Sequence, residues 1–200
     1  MTARIRWVKP EDAARIREIY APYVLHTPVT FECSVPSVQE FEERIAHTME
    51  RYPYLVFEMD GRVEGYAYAS SFHTRQAYQW DAETSIYVNL DMQRGGVGRA
   101  LYEALLFLLR EQGYCNAYAC LGLPNEQSER FHRSLGFSSV GIFQRAGFKN
   151  GQWHDVLWME KNLRLCEHPA PPVPADKLED PIRDEALCRG VNLYLARMKK

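Results

Sequence analysis

The sequence predicts a mixed α/β (α+β) domain followed by a helical extension, and three observations carry that reading. Two helix-like segments come first and strand-like runs follow, two of them joined by Asp60-Gly61, a strong hairpin signal. A later β-rich run, Glu83 to Leu90, ends in the glycine-rich turn Gln93-Arg94-Gly95-Gly96-Val97-Gly98, which opens an apolar-striped helix. Finally, Pro169, Pro171, Pro172 and Pro174 form a stiff extended stretch, so the chain divides into a domain over 1–165, a proline-rich linker over 166–180 and an amphipathic helix over 181–200.

Each element has a local reason. Ile5 to Val8 reads as a short strand, and Pro10 opens a helix with Glu11 and Asp12 in its first turn and a stripe of Ile16, Ile19, Tyr20 and Tyr23. Val29 to Cys33 reads as a brief extended stretch. Ser37 and Glu40 form a capping box ahead of a second helix carrying Phe41, Ile45 and Met49, which ends before Pro53. Tyr54 to Met59 and Arg62 to Ser71 make the hairpin. Gly65, Ala67 and Ala69 share one face there, leaving room either for a ligand or for a closely packed helix.

After the glycine turn, Val97, Ala100, Leu101, Ala104, Leu105, Leu108 and Leu109 recur at three- and four-residue steps, giving a helix that stops near Gly113. Tyr114 to Leu121 follows as an apolar strand, Asn125 as the N-cap of a short helix, and Phe137 to Phe143 with Trp153 to Trp158 as a closing hairpin. In the extension, Leu187, Val191, Tyr194, Leu195 and Met198 form a stripe. Gly190 within it costs about 1 kcal/mol against alanine, so this helix is expected to need docking, on its own domain or on a partner.

Composition narrows the function. The 200 residues are 46% hydrophobic and 25% charged, with a formal net charge of -2, which fits a globular domain and supplies no basic field for nucleic acid or an anionic membrane. A small-molecule partner is expected. The five cysteines lack CxxC spacing and read as reduced thiols, Cys120 as a small buried hydrophobe. Neither a secretory h-region nor a membrane-length apolar run occurs in this sequence, so the expected compartment is the cytoplasm. The six histidines lack ligand spacing, and no metal is expected.

The glycine turn is a phosphate cradle by its chemistry. Glycine lets backbone N–H groups approach an anion, and the helix that starts there directs its unsatisfied N–H groups and positive dipole end to the same point. A Walker A loop is excluded because no Gly-Lys-Ser/Thr follows, and a dinucleotide fold fits poorly because two helices and an antiparallel hairpin stand where its opening βαβ unit belongs. The remaining pattern, Gln-x-x-Gly-x-Gly over Gln93 to Gly98, resembles motif A of the GNAT acetyltransferase superfamily. Arg75 to Trp80, Glu83 to Val88, Gly122 to Asn125 and Gly151 to Val156 resemble the phosphinothricin acetyltransferases within it, in matching order over roughly Phe31 to Trp158.

The resemblance implies the GNAT fold, a mixed central sheet of about six to seven strands with helices on both faces, and acetyl-CoA as co-substrate. Its cofactor set falls on Tyr87, Val88, Gln93, Arg94, Gly95, Gly96, Val97, Gly98, Arg99, Asn125 and Ser128. It implies acetyl transfer to the α-amine of a small amino acid or analogue, such as phosphinothricin or methionine sulfoximine, by direct attack. Glu83 is then the general base, and a backbone N–H near Ser85 to Val88 meets the thioester oxygen. His132 stands where many GNAT relatives have a tyrosine, and its role is acid to the thiolate, relay or substrate contact. The acceptor set is Phe31, His73, Arg75, Tyr78 and Tyr102. Of these, Arg75 can grip a carboxylate or phosphinate bidentately, and Tyr102 equally suits a core position. His154-Asp155 reads as hairpin structure, since neighbours on a strand face opposite ways. A homodimer is expected from the relatives. Another amine (a polyamine, an antibiotic or a protein N-terminus) and a non-catalytic acetyl-CoA-binding protein are the rival readings.

Overall fold

In the computed structural model, which describes residues 2–199, the strands build one seven-stranded sheet in the order β1-β2-β3-β4-β5-β7-β6. The strands are β1 (Ala3–Trp7), β2 (Tyr54–Met59), β3 (Arg62–Ser71), β4 (Asp81–Val88), β5 (Asn116–Gly122), β6 (Ser138–Lys149) and β7 (Gln152–Asn162). All neighbours are antiparallel except β4 and β5. That parallel pair holds register over only Asp81↔Asn116, Ala82↔Ala117 and Glu83↔Tyr118. Beyond Glu83 the two strands part, and the sheet opens into a fork.

The helices are α1 (Ala13–His26), α2 (Val38–Met49), α3 (Val97–Gln112), α4 (Glu126–Ser134) and α5 (Asp180–Met198). On one face, Ile16, Ile19 and Tyr20 of α1 and Phe41 and Ile45 of α2 close over Tyr54, Val56 and Tyr66. The other face carries α3, whose Leu101, Leu105 and Leu108 are fully buried with Ala67 and Ala69 of β3. A Cβ on Gly65 would lie 3.1 Å from Val97 Cγ1, so α3 fills the small-residue face of β3 and leaves no ligand space there.

The capping box forms as expected: Ser37 Oγ accepts from Glu40 N at 3.1 Å, and Glu40 Oε2 accepts from Ser37 N at 2.7 Å. Asp60 and Gly61 take positive φ values of 47° and 83° in the hairpin turn. The closing hairpin runs longer than its apolar pattern suggested, turning at Asn150 and Gly151 with φ 51° and 79°. Val29 to Cys33 corrects the extended reading. Among the described residues no strand pairs with it; Tyr20 Oη shares a hydrogen with Thr30 Oγ1 at 2.6 Å, and the buried Lys149 Nζ donates to Thr30 O at 2.6 Å.

The proline-rich stretch is strapped down. Gln112 Nε2 donates to Val173 O at 2.8 Å, Val173 N to Gln112 O at 2.8 Å, and Trp80 Nε1 to Ala170 O at 2.9 Å. It delivers α5 onto α3 of the same chain. A Cβ on Gly190 would stand 2.4 Å from both Ala100 O and Ile5 Cδ1, so the glycine that weakens the isolated helix is what lets it dock. The buried face is Ala186, Gly190 and Tyr194, whereas Leu195 and Met198 of the expected stripe are exposed. Lys200, the last residue assigned to this helix from sequence, lies outside the described residues, as does Met1.

Candidate active site

Two chain segments build the cradle. After β4, Arg94 adopts φ 63° and Gly96 φ 96°, and Gly96 then caps α3 with no side chain, leaving the first N–H groups of the helix without a capping side chain among the described residues. Gln93 holds the loop in place: its Nε2 donates to Tyr23 Oη at 3.1 Å, and that hydroxyl donates to Val88 O at 2.5 Å. Opposite, Asn125 Oδ1 accepts from Ser128 N at 3.2 Å and caps α4.

Between them lies a cavity of about 630 Å³. Ile86, Val88, Leu90, Met92 and Phe131 form its apolar part, and Arg94, Arg99, Arg130 and Arg197 bring four guanidinium groups to it; no acidic residue lines it among the described residues. Free helix N–H groups, cationic side chains and an apolar slot fit an acylated polyphosphate. Of the expected cofactor residues, Val88, Gln93, Arg94, Gly96, Gly98, Arg99, Asn125 and Ser128 line it. Gly95 and Val97 do not, Val97 being buried in the core, and the Tyr87 ring packs on the opposite side of the sheet against Tyr20 and Tyr23.

A model of the acetyltransferase (GNAT) domain family matches residues 5–158. The chain belongs to the GNAT acetyltransferases. The enzyme is 38% identical over 170 residues to a phosphinothricin N-acetyltransferase of Streptomyces viridochromogenes, covering 85% of this chain and 91% of that one. It is 34% identical to an L-methionine sulfoximine/L-methionine sulfone acetyltransferase of Salmonella typhimurium, over 84% of this chain and 97% of that one. Among solved structures, a GNAT phosphinothricin acetyltransferase of Sinorhizobium meliloti in complex with AcCoA superposes with a TM-score of 0.80 at 34% identity, covering 88% and 99% of the two chains. The enzyme is thus an acetyl-CoA-dependent N-acetyltransferase. Among the described residues, no group of three His, Cys, Asp or Glu side chains is placed to hold a metal ion.

Around the fork, Glu83 sits half-buried on β4 with no hydrogen-bond or ion-pair partner among the described residues, and burial pushes its carboxyl above the ordinary value. His132 is 3% exposed. Its Nδ1 lies 2.8 Å from Ser128 O, which requires a proton on that nitrogen, and its Nε2 lies 3.1 Å from Tyr102 Oη. Tyr102 Oη is in turn 3.2 Å from Thr84 Oγ1, which donates to Tyr118 O at 2.9 Å. Burial lowers the His132 pKa, so the ring is neutral at neutral pH.

These placements sort the expected acceptor residues. Tyr102 has no exposed surface and joins the His132–Thr84 network, in the core position that was the alternative to a substrate contact. His73 and Tyr78 meet edge to face with centroids 4.8 Å apart, and Phe72, which sequence reasoning passed over, joins them to β5 by stacking on Tyr118 at 4.1 Å. Arg75 stands in the same loop, exposed and without an ion pair among the described residues. Phe31 lies against Gly122 of β5 and Gly147 of β6. Its ring fills the space where a Gly147 Cβ would stand, 2.3 Å away, and a Cβ on Gly122 would be 3.7 Å from it.

Three further side chains differ from or match expectation. Cys120 is exposed, not buried, yet desolvation and the neighbouring Glu83 charge push its thiol up to about 12, so the thiolate needed for an acyl-enzyme is not available at neutral pH. His154 and Asp155 do face apart: His154 Nε2 is 3.2 Å from Lys149 O, while Asp155 Oδ1 accepts from Arg145 N at 2.8 Å.

Proposed function

We propose that the enzyme acetylates the α-amine of a small amino acid or close analogue of the phosphinothricin or methionine sulfoximine type, by direct attack with Glu83 as general base. The observation that carries this is the unpaired, desolvated carboxylate at the point where β4 and β5 separate. A carboxyl raised toward neutrality accepts the ammonium proton with less mismatch than an exposed one. Arg75, free of an acidic partner among the described residues, supplies the charge that an amino acid's carboxylate or phosphinate demands, and the protonated Cys120 thiol disfavours a covalent route. His132, buried and neutral, holds Tyr102 behind β4 by accepting its hydroxyl hydrogen at Nε2. The activities named for the Streptomyces and Salmonella relatives belong to the same substrate class.

The working form is a cytoplasmic homodimer. Its support is the edge strand β6, where Val140, Ile142 and Phe143 are 57%, 54% and 62% exposed, together with five free thiols. Purified enzyme with acetyl-CoA is to be offered phosphinothricin, methionine sulfoximine, methionine sulfone, small L-amino acids, a polyamine, an aminoglycoside and a peptide N-terminus, with released thiol as readout. Saturable turnover of the amino-acid class is expected. Turnover confined to the other amines would overturn the assignment.

A further inference from the structure

The helix α5 lies beyond residues 5–158, the span of the family match, yet it reaches the cofactor cavity. Gly190, Tyr194 and Arg197 stand at i, i+4 and i+7, so they share one face. Gly190 sets the depth of docking on α3, and the Tyr194 ring fixes its angle by packing edge-on to Phe57 with centroids 4.8 Å apart. Arg197, in the last turn, is thereby laid across the phosphate loop. A Cβ on Gly96 would be 3.0 Å from Arg197 Cδ, and Arg197 Nη2 donates to Arg94 O at 2.9 Å.

One donated bond leaves most of the guanidinium's N–H groups unengaged, and Arg197 lines the cavity itself. Arg94 and the free N-terminal end of α3 are beside it, and neither Arg94 nor Arg197 has an ion pair among the described residues. Two guanidinium groups and a positive helix end repel one another unless an anion sits between them.

We propose that Arg197 binds a phosphate of acetyl-CoA, and that α5 is a cofactor-affinity element added outside the matched domain. The proposal rests on acetyl-CoA occupying this cavity. Calorimetry with CoA and with 3′-dephospho-CoA, at low and high salt, tests it in the wild type, Arg197→Gln and Arg197→Lys, with thermal melting as the check on folding. Glutamine is expected to weaken CoA binding by about tenfold, the size of one lost charged hydrogen bond, with lysine intermediate and a shallower salt dependence in the glutamine variant. The loss should appear in KM for acetyl-CoA rather than in kcat. A penalty that disappears with 3′-dephospho-CoA places Arg197 on the 3′-phosphate; one that persists places it on the diphosphate. An Arg197→Gln dissociation constant within twofold of wild type overturns the proposal, as does an equal, salt-independent loss in both variants, which would make Arg197 only a brace for the loop. Failure of the wild type to bind CoA would instead strike at the cofactor's place in the cavity.

Discussion

Replacing Glu83 by glutamine removes the proposed base and almost nothing else. The side chain makes no hydrogen bond or ion pair among the described residues, so the variant leaves no native partner stranded. Asp81, two residues earlier on the same face, is occupied by Asn116 Nδ2 at 2.9 Å and offers no ready substitute. The expected loss in kcat/KM is therefore that of a positioned general base, about 10²- to 10⁴-fold, or roughly 2.7–5.4 kcal/mol of transition-state stabilisation. Stability should move the other way. Because burial raises the Glu83 pKa in the fold, its contribution is full below the unfolded value and is lost as pH rises through the folded value. Glu83→Gln should thus melt near wild type in acid and above it at neutral pH and higher. Stopped-time thiol release across pH, with melts at each pH, measures both effects: the acidic limb of the wild-type profile should disappear in the variant. Near wild-type turnover with that limb intact would refute the reasoning.

Three more outcomes follow from the packing. Gly190→Ala should lower the melting temperature despite alanine's helix propensity, since a gain of about 1 kcal/mol is set against a backbone oxygen 2.4 Å away that cannot retreat from the core; a rise in melting temperature would show that α5 docks loosely. Arg75→Gln should leave stability within about 0.5 kcal/mol and raise KM for an anionic acceptor roughly tenfold or more, and an unchanged KM in a steady-state assay would remove Arg75 from the site. Tyr102→Phe strands His132 Nε2 and should cost about 1–3 kcal/mol in urea unfolding, whereas undiminished stability with a raised acceptor KM would restore the direct contact.

Much of the site was legible because its chemistry is local. The turn after β4 needs positive φ and close backbone approach, and Gly96 announces both in the sequence. Asn125 was readable for the same reason, a cap being a bond between residues three apart. Phe72 was missed because no local pattern marks a single aromatic just past the end of a strand, and only its stacking on Tyr118 of β5 ties it to the acceptor loop. Tyr102 was ambiguous because helix periodicity places a residue on a face without saying what covers it; Phe131, His132 and Phe137 cover it. Cys120 misled because an apolar strand reads as buried, whereas the fork opens beside it.

The sequence by itself determined the order of elements, the phosphate turn and its helix, and the family pattern that makes Glu83 and Arg75 the residues to test. These rest on backbone geometry and periodicities that act over a few residues. The tertiary structure alone decided that α3 fills the small face of β3, that His132 lies buried behind β4 at 3% exposure, and that Arg197 arrives at a loop 103 residues earlier in the chain. No local preference encodes such meetings. They depend on how closely distant surfaces approach, and at Gly190 that approach turns on the absence of a single methyl group.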